Sequence, residues 1–344
     1  MTYRGRQAAS IENEAIRVTV LREGGSIAEI LHKTSGVNPL WTPSWPSIEP
    51  STYNAATHPE YGSGAEPRLL SGIMGHNLCL DIFGGPSPEE AAAGMGVHGE
   101  APVAPYEIET GDGRLRLHTV LSLAQIRFER TIELRDSGIE IHETVESLAA
   151  FDRPIGWTQH VTLGPPFLEC GVTEFETSAT KSKVFEGQFG SDDYLEAAAV
   201  FDWPMAPRTG TGFADLRVFN SSPSSSGFTA HLMNPLRRDA FFNAFHPGLQ
   251  LSFGYRWDRA DFPWLGIWEE NRSRTHAPWN GVTIARGLEF GVSPMPETRR
   301  RMVERGSLFG VPAYRWLPAS GRLEVRYSAG FTTGHPARIN SLLE

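Results

Sequence analysis

Between residues 106 and 145 the chain repeats one pattern, in which short runs of alternating apolar and polar residues are separated by turns rich in Gly and Asp. Tyr106-Glu-Ile-Glu-Thr110 breaks at Gly111-Asp112-Gly113 and continues as Arg114-Leu-Arg-Leu-His-Thr-Val-Leu121. Ile126-Arg-Phe-Glu-Arg-Thr-Ile-Glu-Leu134 breaks at Asp136-Ser137-Gly138 and continues as Ile139-Glu-Ile-His-Glu-Thr-Val145. Successive side chains of a strand point to opposite faces, so each run has one apolar and one polar face, and turns of this composition join such runs as antiparallel hairpins. A sheet built this way has one wet side and needs a second layer over the other.

The same punctuation extends along the chain. Ala15 to Leu21 alternates, breaks at Gly24-Gly25, and resumes from Ser26 to Leu31. Further strands are expected at 157–163, 173–177, 216–220, 227–233, 249–255, 264–268, 283–289 and 323–327. Helical periodicity is confined to Pro88–Ala93 and Pro296–Arg305, each opened by proline. Neither a repeat of solenoid or propeller period nor a low-complexity linker is present. The expectation is an all-β fold, a large antiparallel β-sandwich with few short helices, formed as a single domain by residues 1–344. Two long Pro/Gly/Ser-rich stretches, 42–72 and 178–215, are expected to frame a binding site, as long loops on a rigid scaffold commonly do.

With 344 residues the chain can bury a core without disulfide or metal staples. Its two cysteines, Cys79 and Cys170, have apolar neighbours and read as buried free thiols. The net charge of −9 opposes phosphate backbones and anionic lipids, so neither nucleic acid nor a membrane is an expected partner. With no apolar leader at the N-terminus and no apolar run near the ~18 residues of a membrane span, a cytoplasmic location is expected. Nothing in the sequence speaks to oligomeric state.

Four segments carry polar groups where a β protein ordinarily has none: Gly75-His76-Asn77-Leu-Cys-Leu-Asp81, Gly94-Met-Gly-Val-His98-Gly99-Glu100, Gly156-Trp157-Thr-Gln159-His160, and Arg286-Gly-Leu-Glu289-Phe-Gly-Val-Ser-Pro294. A histidine beside glycine lets backbone and ligand approach closely, and a carboxylate in an apolar strand is costly unless paired or functional. His118, His142 and His231 read as structural.

These segments resemble, in order, those of aldose 1-epimerase (galactose mutarotase-like) proteins. Residues 11–41, with Gly24-Gly25, Lys33-Thr-Ser-Gly36 and Trp41, are similar to that family's opening. His98-Gly99 resembles its "HG" element, Gln159-His160 its second histidine, and Glu289 to Pro294 its late strand. The resemblance implies an isomerase that interconverts the anomers of an aldose, acting on a monosaccharide or modified sugar, with neither cofactor nor metal. It implies that Glu289 removes the C1 hydroxyl proton and His160 protonates the ring oxygen. It further implies that His98, His76 (where the family usually has arginine), Gln159 and Asp81 contact the sugar; Trp268, one of the tryptophans near these segments, is expected to stack on its C–H face, as an indole can. Two alternatives stand beside it: a non-catalytic sugar-binding protein on the same scaffold, and a metal centre of His98, Glu100 and His160.

Overall fold

The computed structural model describes residues 1–335 of the chain; residues 336–344, which the expected 1–344 domain includes, lie outside the described residues. Strands account for 47% of the structure and helices for 8%, which makes the fold all-β. The hairpin signal is realised as strands Glu107–Gly111, Arg114–Leu121, Ile126–Arg135 and Gly138–Ser147, each antiparallel to the next. These form one half of an eight-stranded sheet. Arg322–Thr333, Leu251–Asp258, Asp239–His246 and Glu174–Thr177 complete it, in that order outward from Gly138–Ser147.

The second large sheet has twelve strands. From Thr2–Tyr3 it runs through Arg6–Glu12, Ile16–Leu21 and Ile27–His32 to four central strands: His76–Asp81, Arg153–Leu163, Ile284–Gly291 and Trp264–Asn271. Ser225–Met233, Ala179–Val184 and Val200–Asp202 follow, while Arg315–Leu317 pairs with the start of Arg153–Leu163. One core cluster joins the two sheets and draws residues from Ile11 to Phe331. Leu78, Trp157, Val161 and Leu288 enter it from the twelve-stranded sheet, and Leu117, Phe128, Phe253 and Val325 from the other. The architecture is the expected β-sandwich.

The outer face of the twelve-stranded sheet is also covered. Residues 41–73 fold over it, and Trp41, Trp45, Tyr61, Leu69 and Leu70 pack in one cluster with Cys79, Phe228, Trp268 and Ala285. The strands His76–Asp81 and Trp264–Asn271 are therefore buried at every position. By contrast, Arg114–Leu121 alternates between buried and solvent-facing residues.

Two expectations fail in detail, and strands arise where none is expected. Residues 216–220 form no strand; a short one, Phe213–Asp215, precedes them. The 178–215 stretch is not wholly irregular, since it contains Ala179–Val184, Val200–Asp202 and Met205–Pro207. Asp239–His246 is a strand with no alternating pattern in its sequence, because both of its faces are buried. The two expected helices are Pro88–Ala92 and Arg299–Arg305, and among the described residues a third short one, Pro67–Leu70, lies in the 41–73 cover. Cys79 is buried and Cys170 partly so. Among the described residues no helix is long and apolar enough to cross a membrane.

Candidate active site

Strand register assembles the site. His160 lies opposite Glu289 on one neighbour and opposite Asn77 on the other, while Glu289 in turn lies opposite Gly266. Alternation along Arg153–Leu163 sends Trp157, Gln159 and Val161 into the sandwich and His160 and Thr162 out beneath the 41–73 cover. The space left there is a cavity of about 180 Å3 whose lining includes His98, His160, Glu289, Trp268 and Arg274. The three residues singled out as the chemical centre thus face one cavity, together with Trp268.

His160 Nε2 is 3.2 Å from Glu289 Oε1, and His160 Nδ1 is 3.1 Å from Thr162 Oγ1. Small residues make room for the carboxylate. A Cβ on Gly287, two residues before it on the same face, would sit 2.3 Å from Glu289 Oε1. Burial lifts the Glu289 carboxyl from 4.5 up to about 8, because the charged form loses its hydration. Burial also pushes His160 down to about 3, with the neighbouring His98 opposing a second positive charge. At neutral pH the pair is therefore a protonated carboxyl against a neutral imidazole: one proton shared between two groups that can each hold it.

His98 reaches the cavity from a loop. Its backbone is left-handed (φ 65°), and Gly99 follows at φ 83°, where an added Cβ would lie 2.3 Å from the Leu80 carbonyl oxygen. Close approach to the His76–Asp81 strand thus requires that glycine. His98 Nδ1 lies 2.5 Å from the Phe83 carbonyl oxygen, to which it donates. Burial lowers the His98 pKa, so the ring is neutral and its Nε2 carries a lone pair. The His98 and His160 rings meet edge to face at 5.2 Å.

His76, Gln159 and Asp81 are not at the cavity. His76 and Gln159 point to the opposite face of their strands, into the sandwich. There the His76 imidazole bridges Tyr255 Oη (3.1 Å) and Gln159 Oε1 (3.0 Å). Gln159 Nε2 donates to Glu143 at 2.6 Å, and Glu143 pairs with Arg130 at 2.7 Å. Burial and the Arg130 charge hold His76 well below the usual histidine range, so it is a neutral structural bridge. Asp81 ends its strand with a left-handed backbone and is held by Arg299 (2.6 Å) and Arg153 (3.0 Å). Glu100 is likewise turned away, accepting the Ala124 N–H at 2.7 Å. Among the described residues no group of three or more His, Cys, Asp or Glu is arranged to hold a metal ion.

The sequence reading missed Arg274 as a cavity residue and left Trp279 unassigned. Both stand on the loop 272–283, whose geometry no periodicity encodes. The guanidinium carbon of Arg274 lies 4.7 Å from the Trp279 ring and 5.4 Å from that of Trp268. A wider depression of about 670 Å3 on the outer face of the eight-stranded sheet is lined by charges already paired with one another, such as Arg256–Asp239 and Arg238–Asp258.

No protein-family model matches this sequence, and no curated protein matches it. Solved structures do. The "putative aldose 1-epimerase" of Klebsiella pneumoniae subsp. pneumoniae superposes with a TM-score of 0.66 at 12% identity, over 98% of this chain and 82% of that one. A galactose mutarotase-like protein from Clostridium acetobutylicum gives 0.60 at 12% identity, over 95% and 96%. Another from Lactobacillus casei gives 0.57 at 14%, over 95% and 100%. The chain has the galactose mutarotase-like fold. At these identities the likeness is one of fold, and the chemistry has to be argued from the cavity.

Proposed function

We propose that the protein is an aldose 1-epimerase-like isomerase that interconverts sugar anomers, with His160 and Glu289 as its acid–base pair. The observation that carries this reading is the 3.2 Å contact between the two groups on the floor of a cavity of about 180 Å3, the size for one sugar ring. Mutarotation needs a base for the C1 hydroxyl proton and an acid for the ring oxygen at the same time. A pair sharing one proton supplies both.

Glu289 is the base and His160 the acid, which corresponds to the ion-pair tautomer. That tautomer lies one proton transfer from the neutral pair, and sugar hydroxyls donating to the carboxylate favour it. Glu289 takes the C1 hydroxyl proton, the bond from C1 to the ring oxygen breaks, and His160 gives its proton to that oxygen. Ring opening leaves a protonated carboxyl and a neutral imidazole, the uncharged state that burial favours. Rotation about the C1–C2 bond and reversal of the proton transfers close the ring on the other face. His98, with its Nε2 lone pair, accepts a hydrogen bond from a sugar hydroxyl, and the Trp268 indole offers a face to the sugar C–H groups.

Saturation-transfer NMR on an aldose at anomeric equilibrium tests the proposal. Exchange between anomers accelerated by the protein and lost in Glu289→Gln supports it. Sugar binding without accelerated exchange assigns the scaffold to carbohydrate binding instead.

A further inference from the structure

His160, Glu289 and His98 account for the anomeric end of a sugar. Another part of the cavity lining comes from the loop 272–283, and its polar groups have no task in ring opening. Glu270 holds the start of this loop: its Oε1 accepts the N–H groups of Ser273 (2.6 Å) and Arg274 (3.0 Å). Arg274 Nε lies 3.6 Å from Glu270 Oε2. The two terminal nitrogens of Arg274 have no acceptor among the described residues and stay open to solvent, while the side chain as a whole is 18% exposed. Trp279 is 3% exposed, and the guanidinium carbon of Arg274 rests 4.7 Å from its ring.

Much of the surrounding lining is apolar, including Leu69, Leu70, Val97 and Phe189. A guanidinium fork with no protein acceptor, set in a mostly apolar lining, is free to bind a ligand that brings acceptors. The fork of a guanidinium matches a planar carboxylate through two parallel hydrogen bonds, and a hydroxyl cannot use it in that way. A phosphate dianion fits less well, because the Glu66 carboxylate lines the same cavity and opposes a second negative charge. One indole spans the distance to the chemistry: the Trp268 ring is 6.0 Å from the His160 ring and 5.4 Å from the Arg274 guanidinium carbon.

We infer that the cavity selects an aldose carrying a carboxylate, a uronic acid, whose C1 lies at His160 and Glu289 and whose carboxylate is bound by Arg274. The inference rests on the acid–base reading of the cavity given above. The test compares anomer exchange of glucuronate, galacturonate, glucose and glucose 6-phosphate in the wild type, R274Q and R274K. The expected result is a wild-type kcat/KM at least tenfold higher, an order-of-magnitude figure for one charged contact, for a uronate than for glucose or glucose 6-phosphate. R274Q should reduce the uronate value about ten- to a hundredfold relative to glucose, with R274K between, for the loss of a charge-assisted pair. Glucose or glucose 6-phosphate as the best substrate, or an equal loss on all sugars in R274Q, overturns the inference. If no sugar is exchanged, tryptophan fluorescence titration with the same uronates separates the two readings. Uronate binding that R274Q abolishes keeps the carboxylate subsite and removes the epimerase, whereas no uronate binding by the wild type removes the subsite. Should R274Q fail to fold, R274K and the wild-type ranking of substrates decide.

Discussion

The two large sheets use charged residues in opposite ways. On the eight-stranded sheet, charges on the hairpin strands meet water: Arg127–Glu146 at 2.8 Å and Arg135–Glu140 at 2.7 Å are exposed pairs, each worth about 0–1 kcal/mol. At the centre of the twelve-stranded sheet the 41–73 cover removes water from the second face, and polar groups there are few and strongly perturbed. The same backbone geometry gives a charged, solvated face in one sheet and a buried proton-sharing pair in the other. The difference is whether the outward face is wet.

The strongest way to test that contrast is at the reactive pair itself. Glu289→Gln should lower anomer exchange by about 10²–10⁴-fold, the usual contribution of a general acid or base, in the NMR assay. It should also stabilise the protein. The carboxyl titrates near 4.5 when unfolded and at about 8 when folded, so the native state loses stability as pH rises across that range. The melting temperature of Glu289→Gln should exceed that of the wild type at pH 8 and converge with it toward pH 4.5; a constant gap would show that the carboxyl is not held protonated.

A second test breaks the one charged pair that the eight-stranded sheet fully buries among the described residues. Arg130 and Glu143 stand at inward positions of adjacent strands, fully enclosed. Arg130→Met leaves Glu143 without its partner and should cost about 3–5 kcal/mol in denaturant unfolding. Gly287→Ala comes next. Its new methyl group, 2.3 Å from the Glu289 oxygen, must displace the carboxylate. Exchange should fall on the order of 10²-fold, as for an angstrom-scale misplacement. The pH profile is gentler: kcat/KM should decline as pH rises through about 8, where the pair loses its shared proton. The smallest effect belongs to the wet face, where Arg127→Ala should change stability by less than about 1 kcal/mol and leave exchange unaltered.

The same contrast governs what the sequence discloses. Residues 107–147 are legible to within a residue or two, because one face in water writes an alternating pattern. Asp239–His246 is illegible, since Phe241 and Phe245 on one face and Phe242 on the other are all buried. Within the site, polar residues in apolar strands mark His160 and Glu289, and a histidine set against glycine marks His98, and all three line the cavity. They do not say which of two adjacent polar residues faces the cavity. Gln159 precedes His160 and points the other way, as does His76 beside Asn77. Asp81 looks like a sugar ligand until Arg153 and Arg299, remote in sequence, are seen to hold it. Arg130 sits on an apolar face of a hairpin strand, and only its partner Glu143 explains it.

The pairing of His160 with Glu289 across two neighbouring strands has a consequence for the making of the protein. A slip of one residue between Arg153–Leu163 and Ile284–Gly291 would turn one strand's inward set outward and separate the acid from the base. No misregistered chain can carry the pair. Under the proposed function, turnover per molecule in a preparation is then a count of chains whose central strands closed correctly, and refolding would be followed by the return of anomer exchange as well as by the return of structure.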